Sequence, residues 1–246
     1  MLKRTFLHFP NVGERREKLL WKYGYLDWED IINLPPPSGW SRFWLEWQKE
    51  AERSLVALDQ KNSEYFALSL PTSHWWRAIP EFLNEAVYLD IETDEKMDVT
   101  VIGLADRTTY YAFLEDEEID KVYEIIFNAK MLVTYNGKNF DVPILKKKFK
   151  DLKFPILHID LCPLFRRLGY KGGLKAIETQ LGIERSHQTQ GLNGWDAVKL
   201  WQKWKYFKDK QAFETLLMYN YEDVVHLKSL LKIAYEKLWK ATIELV

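Results

Sequence analysis

Apolar and polar side chains alternate along residues 87–94, with Val87, Leu89 and Ile91 set against Asp90 and Glu92. That is the period of a strand with one buried face. Residues 99–105 and 108–114 are also strand-like, and their junction at Asp106-Arg107 predicts a hairpin. Helical spacing follows from Glu117 to Asn128, then a short buried strand from Met131 to Tyr135. Pro143 lacks an N–H and suits a first helical turn, so the helix running to Phe149 is expected to start close to Asp141. A last strand over Ile156–Ile159 is followed by helices over Leu161–Leu168, Leu174–Leu181, Trp195–Phe207 and Gln211 to about Leu238. This order predicts an α/β domain with a mixed sheet flanked by helices, over residues 85–246.

The segment before it lacks sustained alternation. A helix closed by Gly24, a short one at Trp28–Ile32 capped by Asp27, a break at Leu34–Gly39, and a helix from Trp40 to Leu58 make residues 1–84 a helical N-terminal extension. In the last of these, Phe43, Trp44, Trp47, Ala51 and Leu55 recur at helical spacing.

Composition narrows the classes. With 246 residues and a formal net charge of -1, no overall basic field marks a polyanion-binding protein, so any phosphate-binding surface must be local. The single cysteine, Cys162, excludes an internal disulfide framework and any cysteine-based zinc site, which fits a reducing cytoplasm. No stretch approaches the length of a membrane span, and the N-terminus lacks the apolar core of a signal peptide. The expectation is a soluble cytoplasmic protein with no membrane partner. Eleven Trp and thirteen Tyr are many for this length; they suit core packing, and exposed ones suit stacking on bases.

The alternation around Asp90 and Glu92 places two carboxylates in one small patch. Like charges so close repel, and a hard divalent cation between them is one resolution. A surface strand with two solvated acids is the other. Asp141 is a third acid near the carboxyl end of a strand, readable as a helix cap or as a ligand. Tyr219 and Asp223 are four residues apart on one helix and so share a face, with Glu222 and His226 nearby. The polar loop from Glu184 to Gly194 is either an ordinary connection or a rim over a site.

Asp90-Ile91-Glu92-Thr93, Asn136 to Asp141, and Tyr219-Asn220-Tyr221-Glu222-Asp223 together resemble the three motifs of the DEDD exonucleases, proofreading-type 3′-to-5′ nucleases on a ribonuclease H-like fold. The Tyr-x-x-x-Asp spacing is that of the tyrosine branch, which includes the editing domains of family B DNA polymerases and ribonuclease D. The resemblance covers roughly residues 85–235. It implies that Asp90, Glu92, Asp141 and Asp223 hold two Mg²⁺ or Mn²⁺ ions about 4 Å apart, suited to oxygen ligands. Tyr219 would orient the attacking water, since an ordinary phenol is too weak an acid to act as a full base at neutral pH.

Asn136 and Asn139 would hydrogen-bond the terminal nucleotide, Ile91 and Thr93 would touch the 3′ end, and Arg166 and Lys171 would track phosphates. The expected substrate is single-stranded DNA, with RNA open because contacts to the 2′ hydroxyl cannot be placed from sequence. A module that binds nucleic acid without cutting it is the alternative. Residues 10–25 also resemble a degenerate helix-hairpin-helix in which Asn11 stands where the first glycine belongs; a helix pair used for packing accounts for them better. The Trp-rich extension would serve as the interface of a homo-oligomer.

Overall fold

The computed structural model describes residues 1–115 and 117–244. They divide into two compact units, the first Met1–Asn84 together with the stretch from Tyr235 onward and the second Glu85–Ala234.

The first unit is helical, with α1 (Glu14–Lys22), α2 (Trp28–Asn33), α3 (Ser41–Asp59), α4 (Ser63–Ser69) and α5 (Ile79–Phe82). Asp27 caps α2 as its position predicts: its side chain accepts from the Asp30 N–H, and Asp30 returns the bond in a capping box. Aromatic packing forms the core, with Trp28 stacked on Phe66 at 5.8 Å between centroids. On α3, Trp44, Trp47 and Ala51 are buried as expected, while Ser54 and Ala57 take places beside them. The one fully enclosed ion pair here joins Glu17 of α1 to Arg77 at 2.7 Å among the described residues, and Thr5 Oγ1 and the Phe6 N–H complete the shell of Glu17. Around the turn before α1, Arg16 donates to the Asn11 carbonyl and lies over the Phe43 ring, so its side chain is engaged within the unit.

The second unit is built on one five-stranded sheet, ordered β3-β2-β1-β4-β5. Its strands are β1 (Ala86–Thr93), β2 (Val99–Ala105), β3 (Tyr110–Leu114), β4 (Met131–Thr134) and β5 (His158–Asp160). The first three pair antiparallel, and β4 and β5 add in parallel, so the sheet is mixed as expected. The last strand begins two residues later than the sequence suggests and carries Asp160 within it. Around the sheet come α6 (Ile119–Asn128), α7 (Asp141–Lys148), α8 (Leu161–Arg167), α9 (Leu174–Leu181), α10 (Gly194–Phe207) and, as far as Ala234, α11 (Lys210–Ile243).

Strand alternation divides the core in two. Val87, Leu89, Ile91, Ile102 and Leu104 join Val122 and Ile126 of α6 and Val142 and Leu145 of α7 in one apolar cluster. Val101 belongs to a second cluster, with Ala197 and Trp201 of α10 and Leu216 and Tyr219 of α11. In the register of β1 with β2, Asp90 lies opposite Gly103 and Glu92 opposite Val101. Both acids are therefore directed to the face covered by α10 and α11. β1 thus turns Val87, Leu89 and Ile91 to the first cluster and Asp90 and Glu92 to the layer of the second.

Gly103 lets α11 close on this face. A Cβ there would lie 1.9 Å from Asn220 Oδ1 and 2.8 Å from the Val224 side chain. Asn220 itself is fully buried and held by the Tyr110 hydroxyl at 2.8 Å. Gly103→Ala is expected to destabilise the chain by about 1–3 kcal/mol, read as a lowered urea midpoint with an unchanged slope.

Candidate active site

Four carboxylates approach one another from three elements. Asp90 and Glu92 come from β1 and Asp223 from α11, and one ligand oxygen from each lies within 4.8 Å of the others. Asp141, at the first position of α7, is tied to the same strand: the Ile91 N–H donates to its Oδ1 at 3.0 Å. It thus braces the strand whose side chains carry Asp90 and Glu92. Phe140, not Asp141, takes the N-cap position of α7.

Burial raises every member of the group, and the neighbouring carboxylates add to it for Asp90, Glu92 and Asp141. Burial and then the neighbouring Asp223 push Asp90 and Glu92 well above the ordinary carboxylate range. Asp141 is pushed up to about 7, by burial chiefly, against the bonds from backbone N–H groups. Asp223 is raised by burial too, although Arg185 and Lys175 pull the other way. The Asn220 amide supplies a neutral donor, 3.1 Å from Asp90 Oδ2.

The protein's own cations enter from α9 and the loop after it. Arg185 bonds Asp223 and holds both oxygens of Glu178 at 2.6 and 2.7 Å, and Glu178 also takes His226 Nδ1 at 3.0 Å. Lys175 lies 4.0 Å from Asp223, donates to the Tyr219 hydroxyl and sits 3.8 Å from the centre of that ring. Tyr219 is buried, and burial together with the neighbouring carboxylates raises its hydroxyl above the ordinary phenol value. It remains a neutral phenol at neutral pH. The loop from Glu184 to Gly194 is a rim anchored to the site: the Ser186 N–H donates to Glu222 at 2.8 Å, and the buried Thr189 hydroxyl bonds the other oxygen. Beside it Lys175, Arg185 and His187 line a cavity of about 740 Å³.

Ile91 is buried, with its N–H spent on Asp141, and Thr93 follows the irregularity between Glu92 and Thr93 at the end of β1. Asn139 donates to the Asn136 side chain at 3.0 Å, so the two amides form one unit. Asn136 itself adopts a positive φ of 63°, a conformation asparagine tolerates. Arg166 and Lys171 are exposed, and none of the contacts around the acids uses their side chains. Asp160 faces other partners: it accepts from the backbone N–H groups of Asn136, Lys138 and Cys162, at 2.7, 3.2 and 3.1 Å. It fixes the segment leading to Asp141.

Sequence reasoning did not find Arg185, Glu178 or the bridging place of Asn220. Glu178 and Arg185 each resemble an ordinary charged surface residue until the chain folds; only Asn220, inside the Tyr219–Asp223 run, stood where attention already fell.

Residues 87–235, well over half of the chain, match the family model of the RNase H superfamily. The chain belongs to this superfamily. No curated protein matches it. Among solved structures it is similar to the family B DNA polymerase from the hyperthermophilic archaeon Pyrobaculum calidifontis, at 17% identity and a TM-score of 0.48, over 62% of this chain and 24% of the polymerase. The chain thus matches about a quarter of that polymerase's length. Its mixed sheet and flanking helices are RNase H-like, and superfamily membership suggests a nuclease. Among the described residues no helix is long and apolar enough to cross a membrane.

An all-oxygen donor set of Asp90, Glu92 and Asp223 fits a hard divalent cation, and the raised carboxyls are the charge such an ion would relieve. Without a cation, these groups and Asp141 favour the folded state while protonated and lose that contribution as pH rises from the ordinary carboxylate range through their raised values, about 7 for Asp141. A cation that binds the ionised forms restores it. The melting temperature in Mn²⁺ minus that in chelator is therefore expected to be small at about pH 5 and to grow toward about pH 8, and Asp223→Asn should remove most of the difference.

Proposed function

We propose that the chain is a metal-dependent 3′-to-5′ exonuclease of the tyrosine DEDD type, acting on single-stranded nucleic acid with DNA preferred. The convergence of the Asp90, Glu92 and Asp223 oxygens within 4.8 Å carries this reading. Asp141, bonded to the backbone between Asp90 and Glu92, supplies the fourth acid.

Asp90, Glu92, Asp141 and Asp223 would hold two Mg²⁺ or Mn²⁺ ions, which when bound supply an activated water and stabilise charge on the leaving 3′ oxygen. The chain's own groups do the positioning. An ammonium has only donors, so the Tyr219 oxygen accepts from Lys175 and its own proton is left to donate. A neutral phenol held that way orients a water or a phosphate oxygen rather than removing a proton. Asn136 and Asn139, linked to each other, are assigned to the terminal nucleotide, with Ile91 and Thr93 beside its 3′ end. Arg166 and Lys171, exposed, are assigned to phosphates farther along the strand.

A second reading rests on a specific contact. Asp223 is engaged by Arg185 with Lys175 nearby, which would also suit a module that binds nucleic acid and balances its acids with its own cations. The retention of all four acids favours catalysis.

With Mg²⁺ or Mn²⁺ the protein is expected to shorten a 5′-labelled single-stranded oligonucleotide stepwise from its 3′ end. Asp90→Ala should lower the rate by at least about 10³-fold and Tyr219→Phe by about 10²-fold, with the circular dichroism of both unchanged. Activity that survives chelation or Asp90→Ala would refute the assignment, and binding without turnover would select the second reading. Matched DNA and RNA strands decide the sugar preference.

A further inference from the structure

The corner between α10 and α11 carries a surface that the acids do not use. Its sequence, Lys203-Trp204-Lys205-Tyr206-Phe207-Lys208-Asp209-Lys210, interleaves three aromatic residues with four lysines. Tyr206 is 66% exposed and Phe207 80%, so two large rings face water at the end of one helix. Such exposure costs free energy in a chain that gains nothing from it. The platform beneath is firm: Trp204 stacks on Phe213 at 4.4 Å between centroids, and Trp201 is buried in the core under Lys205.

The charges within the run around these rings are predominantly positive, four lysines against Asp209. Asp209 is occupied in receiving the Ala212 N–H at 3.1 Å, at the start of α11. Lys205 lies 3.7 Å from Glu115, while among the described residues Lys203, Lys208 and Lys210 have no carboxylate partner. Lys208 instead sits over the Trp204 ring at 5.3 Å, and its φ of 55° closes α10 directly after the two exposed rings.

We infer that this corner is a second binding site for single-stranded nucleic acid, in which unpaired bases stack on Tyr206 and Phe207 and Lys203, Lys205, Lys208 and Lys210 hold the phosphates. Exposed rings without charge would equally suit a protein partner. Rings set among lysines suit a ligand that offers flat apolar faces and regularly spaced negative charge together. The inference deepens the nuclease reading and rests on it for the identity of the polymer.

Distance gives the site its role. Lys210 opens α11 and Asp223 lies thirteen residues along it, about 20 Å at the rise of an α-helix. A strand whose end lies among the acids must extend by several nucleotides to reach the corner. A groove of about 510 Å³ reaches Lys205, lined also by Lys147 and Lys148 of α7 and by the acids Asp94, Asp98 and Glu115. The corner would therefore hold the body of a long strand while its end is at the acids, and a very short strand would not engage it.

The test measures binding and cleavage separately on the full chain. In chelator, fluorescence anisotropy with labelled oligo-dT of about 20 nucleotides should report affinity for Tyr206→Ala/Phe207→Ala at least about five-fold weaker than wild type. Lys205→Ala/Lys208→Ala should instead flatten the salt dependence, by about 1.4 in the log–log slope. Both pairs are exposed, and unchanged circular dichroism would verify the fold. Cleavage of a trinucleotide should be unaltered in both, while KM for the long strand rises. Wild-type affinity for the long strand in both variants would overturn the inference, as would an equal loss on the trinucleotide, or a ring variant that changes only the molecular mass by light scattering. A wild-type protein that binds through the corner yet does not cleave with Mn²⁺ would support this site and refute the nuclease assignment alone.

Discussion

The repulsion among Asp90, Glu92, Asp141 and Asp223 is the constraint around which the α/β unit is arranged. Their oxygens are brought together by a strand, a helix start and a late helix, which only a folded chain can superimpose. Each neighbour of the cluster addresses that charge. Asn220 donates to Asp90, Arg185 to Asp223, and the Ile91 N–H to Asp141. The apolar side of β1 anchors the strand against α6 and α7, so the acidic side can be crowded without the sheet giving way.

The positions of these groups follow from strand geometry. Alternation along β1 and β2 sends Asp90, Glu92, Val101 and Gly103 to the face where α10 and α11 pack. Val101 supplies the apolar contact for Tyr219 and Trp201, and Gly103 supplies the space for Asn220. The sheet thus fixes not only where the acids point but how near α11 can come to them. Asp160 contributes at one remove, by binding the N–H groups of Asn136 and Lys138 in the turn that leads into Asp141 while it caps α8 through Cys162.

Much of this was legible in the chain. The alternation of 87–94, the proline in the first turn of α7 and the four-residue spacing of Tyr219 and Asp223 are local signals, and they predicted the strand, the helix start and the shared helical face. Arg185 was not legible, because its partners Glu178 and Asp223 lie seven and thirty-eight positions away, and nothing in its own surroundings distinguishes it from a solvated residue. The short helix α4 and the 3₁₀ turns before the sheet were not anticipated either, since segments of so few residues have too little periodicity to declare themselves. The last strand was placed early because its register is set by pairing with β4 rather than by its own pattern.

Connecting loops are ordinarily the part of a protein that tolerates change best. The one after α9 is different, because Arg185 at its start and Ser186 and Thr189 within it are fastened to Asp223 and Glu222 on the same helical turn of α11. Lengthening or shortening that loop would pull on an acid of the centre without altering any acid. Variation among related chains at this connection would therefore be expected to alter the spacing of the acids, and with it the affinity for any cation they could hold, although the stretch itself has none of those acids.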